Sequence, residues 1–269
     1  FKAYRPHIIG IDMDSDGMIM TKLEDTIKKS INDGKRIKFV YVIPTCQNPT
    51  GISMSIDRRK HLMELANKYD LLIVEDNPYS YFLFDGIYVP PLKSMDTENR
   101  VIYMSTFSKI IAPGIRVGWV VGDKDLIRWI AMAKQAVDLH TSTLSQYIAL
   151  EALKRGIIER NIPKIREAYK VKRDAMLDAL AKYMPEQVTW TRPIGGMFVW
   201  ASAQGIRTED MLPMAVSKYK VAYVPGKSFY PDEDVHTSMR LNFTYPSVDM
   251  IYEGIRRLSN AIKEELSKN

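Results

Sequence analysis

The chain has 269 residues, 46% of them hydrophobic and 26% charged, a balance that excludes extended disorder and allows two domains or one large α/β unit. The formal net charge of +6 does not by itself point to nucleic acid, because the cations are scattered among 32 acids, and the runs Arg58-Arg59-Lys60 and Lys170 to Arg173 fall in amphipathic stretches that read as solvated helix faces. The single Cys46 excludes an internal disulfide and a CxxC metal site, and its apolar surroundings make it buried filler rather than a nucleophile.

No apolar run reaches the roughly 18 residues that a membrane-spanning helix needs, and the first twenty residues lack a signal-peptide core, so a cytoplasmic protein without a membrane partner is expected. The chain opens on FKAYRPH without an initiator Met. The expectation is that a natural N-terminal segment is missing, that the 269 residues belong to a longer polypeptide, and that this segment alone has a gapped sheet.

In chain order, HIIGIDMD reads as a short strand from Ile8 to Met13, followed by a helix at about 22–33. The run IKFVYVIP at 37–44 is continuously apolar and β-branched or aromatic, as a parallel strand covered on both faces should be. After QNPTGIS, Ser55 can cap a helix in which Leu62, Leu65, Ala66 and Tyr69 share one face, leading to a second strand, LLIVED at 71–76. These elements make one βαβ crossover. A loop of about twenty residues rich in Tyr and Pro precedes the strand VIYMS at 101–105, and RVGWVVGD follows after too short a link for a crossover, which makes it antiparallel.

Residues 124–160 read as helical, with a further long helix at 163–184. Strands are then expected in PIGGMFVWAS, KVAYVPG and TSMRLNF, with helices at about 208–219 and 247–267, the last capped by Ser247 and striped by Ile251, Ile255, Leu258 and Ile262. The fold class is therefore α/β, a mostly parallel large domain at 1–160 followed by a smaller α+β domain at 161–269.

Ligands in parallel α/β sheets sit outside the carboxyl ends of the strands. Those ends carry Asn48 in QNPTG, Asp76 with Tyr79 in EDNPY, and Lys109 in STFSK. Each is ordinary alone, as a turn Asn, a capping Asp or a solvated Lys; together they suit an aldehyde cofactor with a pyridine ring and a phosphate. Lys109 can form a Schiff base with the aldehyde. Asp76, costly to ionise at the end of an apolar strand, gains a cationic partner in a protonated ring nitrogen. Tyr79 and Asn48 can hydrogen-bond the ring's phenolic oxygen, and Thr106, Ser108 and Arg116 offer two hydroxyls and a planar fork to the phosphate.

The motifs NPTG, DNPY, SxFSK and PGxRxG, in this order, resemble the aspartate aminotransferase superfamily, the fold type I pyridoxal phosphate enzymes of aminotransferase class I/II. PTCQNPTG, EDNPYS and FSKIIAPGIRVGW are most similar to the branch that acts on aromatic amino acids, 2-aminoadipate and kynurenine. The resemblance implies pyridoxal 5'-phosphate as cofactor, Lys109 as Schiff-base lysine and proton shuttle, Asp76 at the ring nitrogen, Tyr79 and Asn48 at the ring hydroxyl, and Thr106, Ser108 and Arg116 at the phosphate. Thr106 stands where the family often has Ser, which keeps the hydroxyl. In TSMRLNF the alternation puts Arg240 and Asn242 opposite Met239, Leu241 and Phe243, and the family's RLxF motif makes Arg240, seconded by Asn48, the ligand of the substrate α-carboxylate. Gly195 and Gly196 are weaker signals of a close approach to substrate.

The implied activity is transamination between an amino acid and a 2-oxo acid such as 2-oxoglutarate, by a homodimer. The alternatives are the effector domain of a transcription regulator, whose nucleic-acid-binding part would lie in the missing segment, or another pyridoxal phosphate reaction such as decarboxylation or elimination. The histidines His7, His61, His140 and His236 have no ligand spacing, and no metal is expected.

Overall fold

The computed structural model describes residues 2–231 and 235–268. The expected domains begin at Phe1 and end at Asn269, and both of those residues lie outside the described ones.

The elements run β1 (Met13–Asp14), β2 (Gly17–Met18), α1 (Met20–Asn32), β3 (Val40–Val42), α2 (Ile56–Lys68), β4 (Ile73–Asp76), β5 (Val101–Thr106), β6 (Gly118–Val121), α3 (Lys124–Val137), α4 (Thr143–Lys154) and α5 (Ile157–Tyr183). Then come β7 (Val188–Trp190), β8 (Phe198–Ala203), α6 (Thr208–Ser217), β9 (Val224–Pro225), β10 (Ser238–Asn242) and α7 (Val248–Leu266). The chain divides into two compact units, one made of Met13–Gln47 with Ile52–Glu167, the other of the segment up to Asp12, Asn48–Gly51 and the segment from Ala168 onward.

The first unit is built on a four-stranded sheet of order β3-β4-β5-β6. The first three strands are parallel and β6 is antiparallel to β5, as the short link at 107–117 requires. The crossover from β3 to β4 runs through α2, whose N-terminus is capped by Ser55 accepting from the Arg58 amide, and whose Leu62, Leu65 and Ala66 are buried. Ile73 and Val101, on adjacent strands, are fully buried and register directly with one another.

Three expectations need correction. Residues 8–12 form no strand: only Met13 and Asp14 pair, antiparallel, with Met18 and Gly17, and two rungs of ladder cannot extend a strand into backbone that has no neighbour. The run at 37–44 is a strand only over Val40–Val42. The helical stretch at 124–160 breaks twice, at 138–142 and at 155–156, where Gly156 has φ 62°. From there α5 begins at Ile157 and continues through Pro163, which was expected to start it.

The second unit holds an antiparallel sheet of order β7-β8-β10-β9. The strand β7, Val188–Trp190, is one that the sequence reading did not propose. In β10 Met239 and Leu241 are buried, as is Phe243 beyond its end, while Arg240 is half-buried and Asn242 exposed, the alternation expected of a strand with one covered face. The Ser247 cap accepts from the Met250 amide, and the stripe of Ile251, Ile255, Leu258 and Ile262 on α7 is buried. The basic run in α5 is not solvated throughout: Lys172 Nζ donates to the Thr244 carbonyl at 2.8 Å and Arg173 donates to that of Pro193.

Candidate active site

At the first unit's carboxyl strand ends the chain is lashed together by main-chain and hydroxyl bonds. Asp76 registers with Met104, the Asn77 amide extends the ladder to the Met104 carbonyl at 2.8 Å, and the buried Ser105 hydroxyl donates to the Asn77 carbonyl at 2.9 Å. These bonds fix the segment carrying Asp76 against the segment that leads to Lys109. Beyond β5 the chain turns sharply: the amides of Ile110 and Ile111 both donate to the Phe107 carbonyl, and the Phe107 ring packs on Trp119 of β6 with centroids 4.8 Å apart. Gly118 lets β6 come this close, since a Cβ there would meet the Ser105 carbonyl oxygen at 2.8 Å.

This turn presents Thr106, Ser108 and Lys109, all half-buried. The Thr106 hydroxyl donates to Ser108 Oγ at 2.9 Å and accepts from the Ser108 amide at 3.0 Å, so the two hydroxyls are held side by side. Lys109 has no hydrogen-bond acceptor and no acid for its ammonium among the described residues. Arg116, in the left-handed region at φ 54°, is exposed and donates to the Pro113 carbonyl at 3.1 Å. That is its one hydrogen bond among the described residues, so here the fork is turned onto its own loop and not onto the hydroxyl pair.

Asp76 is half-buried, and the loss of water around its carboxyl pushes its proton affinity up, opposed by the Tyr41 phenol, which donates to Oδ2 at 2.7 Å. Tyr79, three residues on, is buried to 5% exposure. Cys46 is buried, and burial pushes its thiol up to about 12, an inert side chain as expected.

Arg59 on α2 and Glu75 on β4 form a buried charge pair. Arg59, expected on a solvated face, is fully buried. Its guanidinium donates to the carbonyls of Met54 at 3.0 Å, Pro90 at 3.0 Å and Pro44 at 2.5 Å, and to the Thr45 hydroxyl at 2.9 Å. Glu75, also fully buried, accepts from the amides of Leu92 at 3.0 Å and Lys93 at 2.9 Å, and burial raises its proton affinity against these donors and the charge of Arg59. Arg59 and Glu75 thus hold two loops: the one from β3 to α2, at Pro44, Thr45 and Met54, and the long Tyr- and Pro-rich loop after Tyr79, at Pro90, Leu92 and Lys93.

In the second unit, Arg240 Nη1 donates to Asn48 Oδ1 at 2.7 Å. The guanidinium also lies 4.3 Å from the Phe198 ring centroid and 5.1 Å from that of Phe229, an aromatic bracket that fixes its plane. Asn48 is held by its own loop, since Thr191 Oγ1 donates to the Thr50 carbonyl at 2.7 Å and accepts from the Trp200 amide at 3.0 Å. Phe198, Phe229 and Tyr41 were not picked from sequence. The signal for Tyr41 was its place in the strand that leads to Asn48; for the two phenylalanines there was none.

A family model described as aminotransferase class I and II matches residues 7–258, and the chain belongs to that family. Aromatic-amino-acid aminotransferase 1 of Thermococcus litoralis is 51% identical over 269 residues, covering 100% of this chain and 64% of that protein. A multiple substrate aminotransferase from Thermococcus profundus shares the fold with a TM-score of 0.97 at 50% identity, over 100% of this chain and 67% of that one. Pyrococcus horikoshii kynurenine aminotransferase, solved in complex with PMP, KYN and KYA, gives a TM-score of 0.96 at 49% identity over 99% of this chain and 66% of that one. The chain thus spans less than two-thirds of the length of the first of these relatives.

Proposed function

We propose that the protein is a pyridoxal phosphate-dependent aminotransferase that exchanges an amino group between an amino acid, aromatic or of the 2-aminoadipate kind, and a 2-oxo acid such as 2-oxoglutarate. The observation that carries this reading is Lys109, a half-buried ammonium without an acid or carbonyl partner at the end of β5, next to the strand end that holds Asp76. An amine at this strand end that no acid or carbonyl holds can serve as a nucleophile or base.

The residues present fit the cofactor. Asp76 is a carboxyl whose burial calls for a cation, which a protonated ring nitrogen supplies. The adjacent hydroxyls of Thr106 and Ser108 can turn their protons toward a phosphate, and Arg116 needs only to exchange the Pro113 carbonyl for it. Pyridoxal phosphate, when bound, supplies an aldehyde carbon for amine exchange and a ring that accepts the electron pair left when a Cα–H bond breaks.

The chain's own part is to bind and to move protons. Lys109 Nζ takes up and returns the proton at the substrate Cα. Asp76 stays ionised and keeps its partner protonated, and the Tyr79 phenol donates to the ring oxygen. Arg240 offers its fork to the substrate carboxylate, and Asn48, whose Oδ1 is taken by Arg240, keeps its two amide N–H groups for a carboxylate or ring oxygen.

A homodimer is proposed from the family resemblance, and sedimentation of the full chain tests it; a cytoplasmic location is proposed from the cysteine-poor composition, which suits a reducing compartment. The activity is tested by product analysis with phenylalanine, 2-aminoadipate or glutamate and 2-oxoglutarate. Paired formation of the new amino and oxo acids supports transamination; release of carbon dioxide or of an eliminated group without amine exchange contradicts it.

A further inference from the structure

We propose that Tyr41 is a positioning residue for Asp76, binding carboxylate Oδ2 through its phenolic O–H so that Oδ1 is the oxygen offered to a protonated ring nitrogen; this rests on the cofactor reading above. The parallel register of β3 with β4 sets Tyr41 opposite Val74, two residues before Asp76, and the phenol reaches the carboxylate at 2.7 Å. That length is typical of a hydroxyl bonded to an ionised acceptor. It is the only hydrogen bond of the Asp76 side chain among the described residues.

The chemistry gives this bond a task beyond joining two strands. A carboxyl at the end of an apolar strand is pushed toward its neutral form, and a neutral carboxyl cannot hold a pyridinium proton. Among the described residues Tyr41 is the one group that opposes that push on Asp76. Met104, opposite Asp76 on β5, carries no charge; of the titratable groups near this strand end, Tyr79 acts on the Tyr41 phenol, Glu75 is taken by the Leu92 and Lys93 amides, and Lys109 makes no hydrogen bond to Asp76 among the described residues. Loss of water around the Tyr41 hydroxyl and the facing carboxylate together raise its own proton affinity, so it remains a donor across the neutral range. Occupying Oδ2 also fixes the rotation of the carboxylate plane, which one free torsion would otherwise leave open.

The test uses the full chain without ligand. Asp76 is titrated by carboxyl 13C NMR in the wild type, in Tyr41→Phe, and in a protein with 3-fluorotyrosine at position 41, which keeps the shape and strengthens the donor. The apparent pKa of Asp76 is expected to rise by about one unit in Tyr41→Phe and to fall below wild type with the fluorinated residue. Should Tyr41→Phe fail to fold, the fluorinated protein decides alone. Pyridoxal phosphate affinity measured against pH is the second readout: its acid limb should move to higher pH in Tyr41→Phe, giving roughly tenfold weaker binding between the two limbs. An Asp76 titration that is the same in all three proteins overturns the proposal, and so does a shifted titration with an unshifted acid limb. A chain that binds no cofactor at any pH contradicts the aminotransferase reading instead, and the ligand-free titration still decides what Tyr41 does to Asp76.

Discussion

Arg240 Nη1 donates to Asn48 Oδ1 at 2.7 Å, joining residues 192 apart in sequence, with the rings of Phe198 and Phe229 on the same guanidinium. A fork held in this way can take a carboxylate with two parallel bonds, which a lysine cannot. Arg240→Lys is therefore expected to raise KM for both the amino acid and the 2-oxo acid by roughly 10–100-fold, with a smaller change in kcat. Asn48→Ala should raise KM less, and the double variant should fall short of the sum because the two side chains touch. Steady-state kinetics on both substrates measures this.

The buried Arg59 donates to four oxygens from two loops and faces the charge of the buried Glu75. Removing it leaves Glu75 as a buried acid without that compensating charge, and the loop carbonyls lose their donors. Arg59→Met is expected to lower unfolding stability by about 3–5 kcal/mol. Adding Glu75→Gln should recover part of the loss, since the amide no longer needs a counter-charge. Urea unfolding of the single and double variants checks both statements.

Gly51 has φ +72°, and a Cβ there would meet the Phe198 carbonyl oxygen at 2.5 Å and Pro193 Cβ at 2.9 Å. Both neighbours are held by backbone and neither can swing aside. Gly51→Ala is expected to cost about 2–4 kcal/mol, combining left-handed strain with overpacking. It should also raise substrate KM, because the displaced loop carries Asn48; a variant with unaltered KM would show that Asn48 is positioned independently of this contact.

Glu24 on α1 accepts from Lys68 Nζ at 2.8 Å and from the Tyr69 hydroxyl at 2.7 Å, and these two bonds, the lysine's first, lower it from an ordinary 4.5 to about 2. A group with a depressed folded pKa adds stability that is complete above its unfolded pKa and disappears as the pH falls through the folded one. The gap in urea midpoint between wild type and Glu24→Gln should then be constant from pH 6 to 8 and shrink between about pH 4.5 and 2. An equal gap at pH 3 and pH 7 would show that the contact does not depend on charge.

The elements that sequence made legible were those that local chemistry specifies. Ser55 and Ser247 announce their helices because a cap needs only its own hydroxyl and an amide three residues on. The α7 stripe follows from a period of 3.6, and the antiparallel β6 from the length of the link before it. Lys109, Asp76 and Asn48 stood out because parallel strands end on the ligand side and each end carried a chemically able residue.

What was misread depended on partners distant in the chain. Arg59 looked like one of three solvated cations, because nothing local says that Pro44, Met54 and Pro90 will aim their carbonyls at one helix position. Tyr41 could not be tied to Asp76 without the register of β3 on β4. Residues 8–12 carried a strand-like pattern, but a strand exists only with a neighbour to pair with. Pro163 was read as a helix start, yet it lies within the first two turns of α5, where losing one amide does not stop a helix that continues to Tyr183.

The most direct measurement is chemical trapping at the amine itself. The full chain is loaded with pyridoxal phosphate, reduced with borohydride, digested and mapped by mass spectrometry, beside Lys109→Ala treated in the same way. A single cofactor adduct on the peptide carrying Lys109, absent from the variant, is the predicted result. An adduct spread over other lysines to the same extent in both proteins, or none at all, would contradict the assignment of Lys109 as the reactive amine.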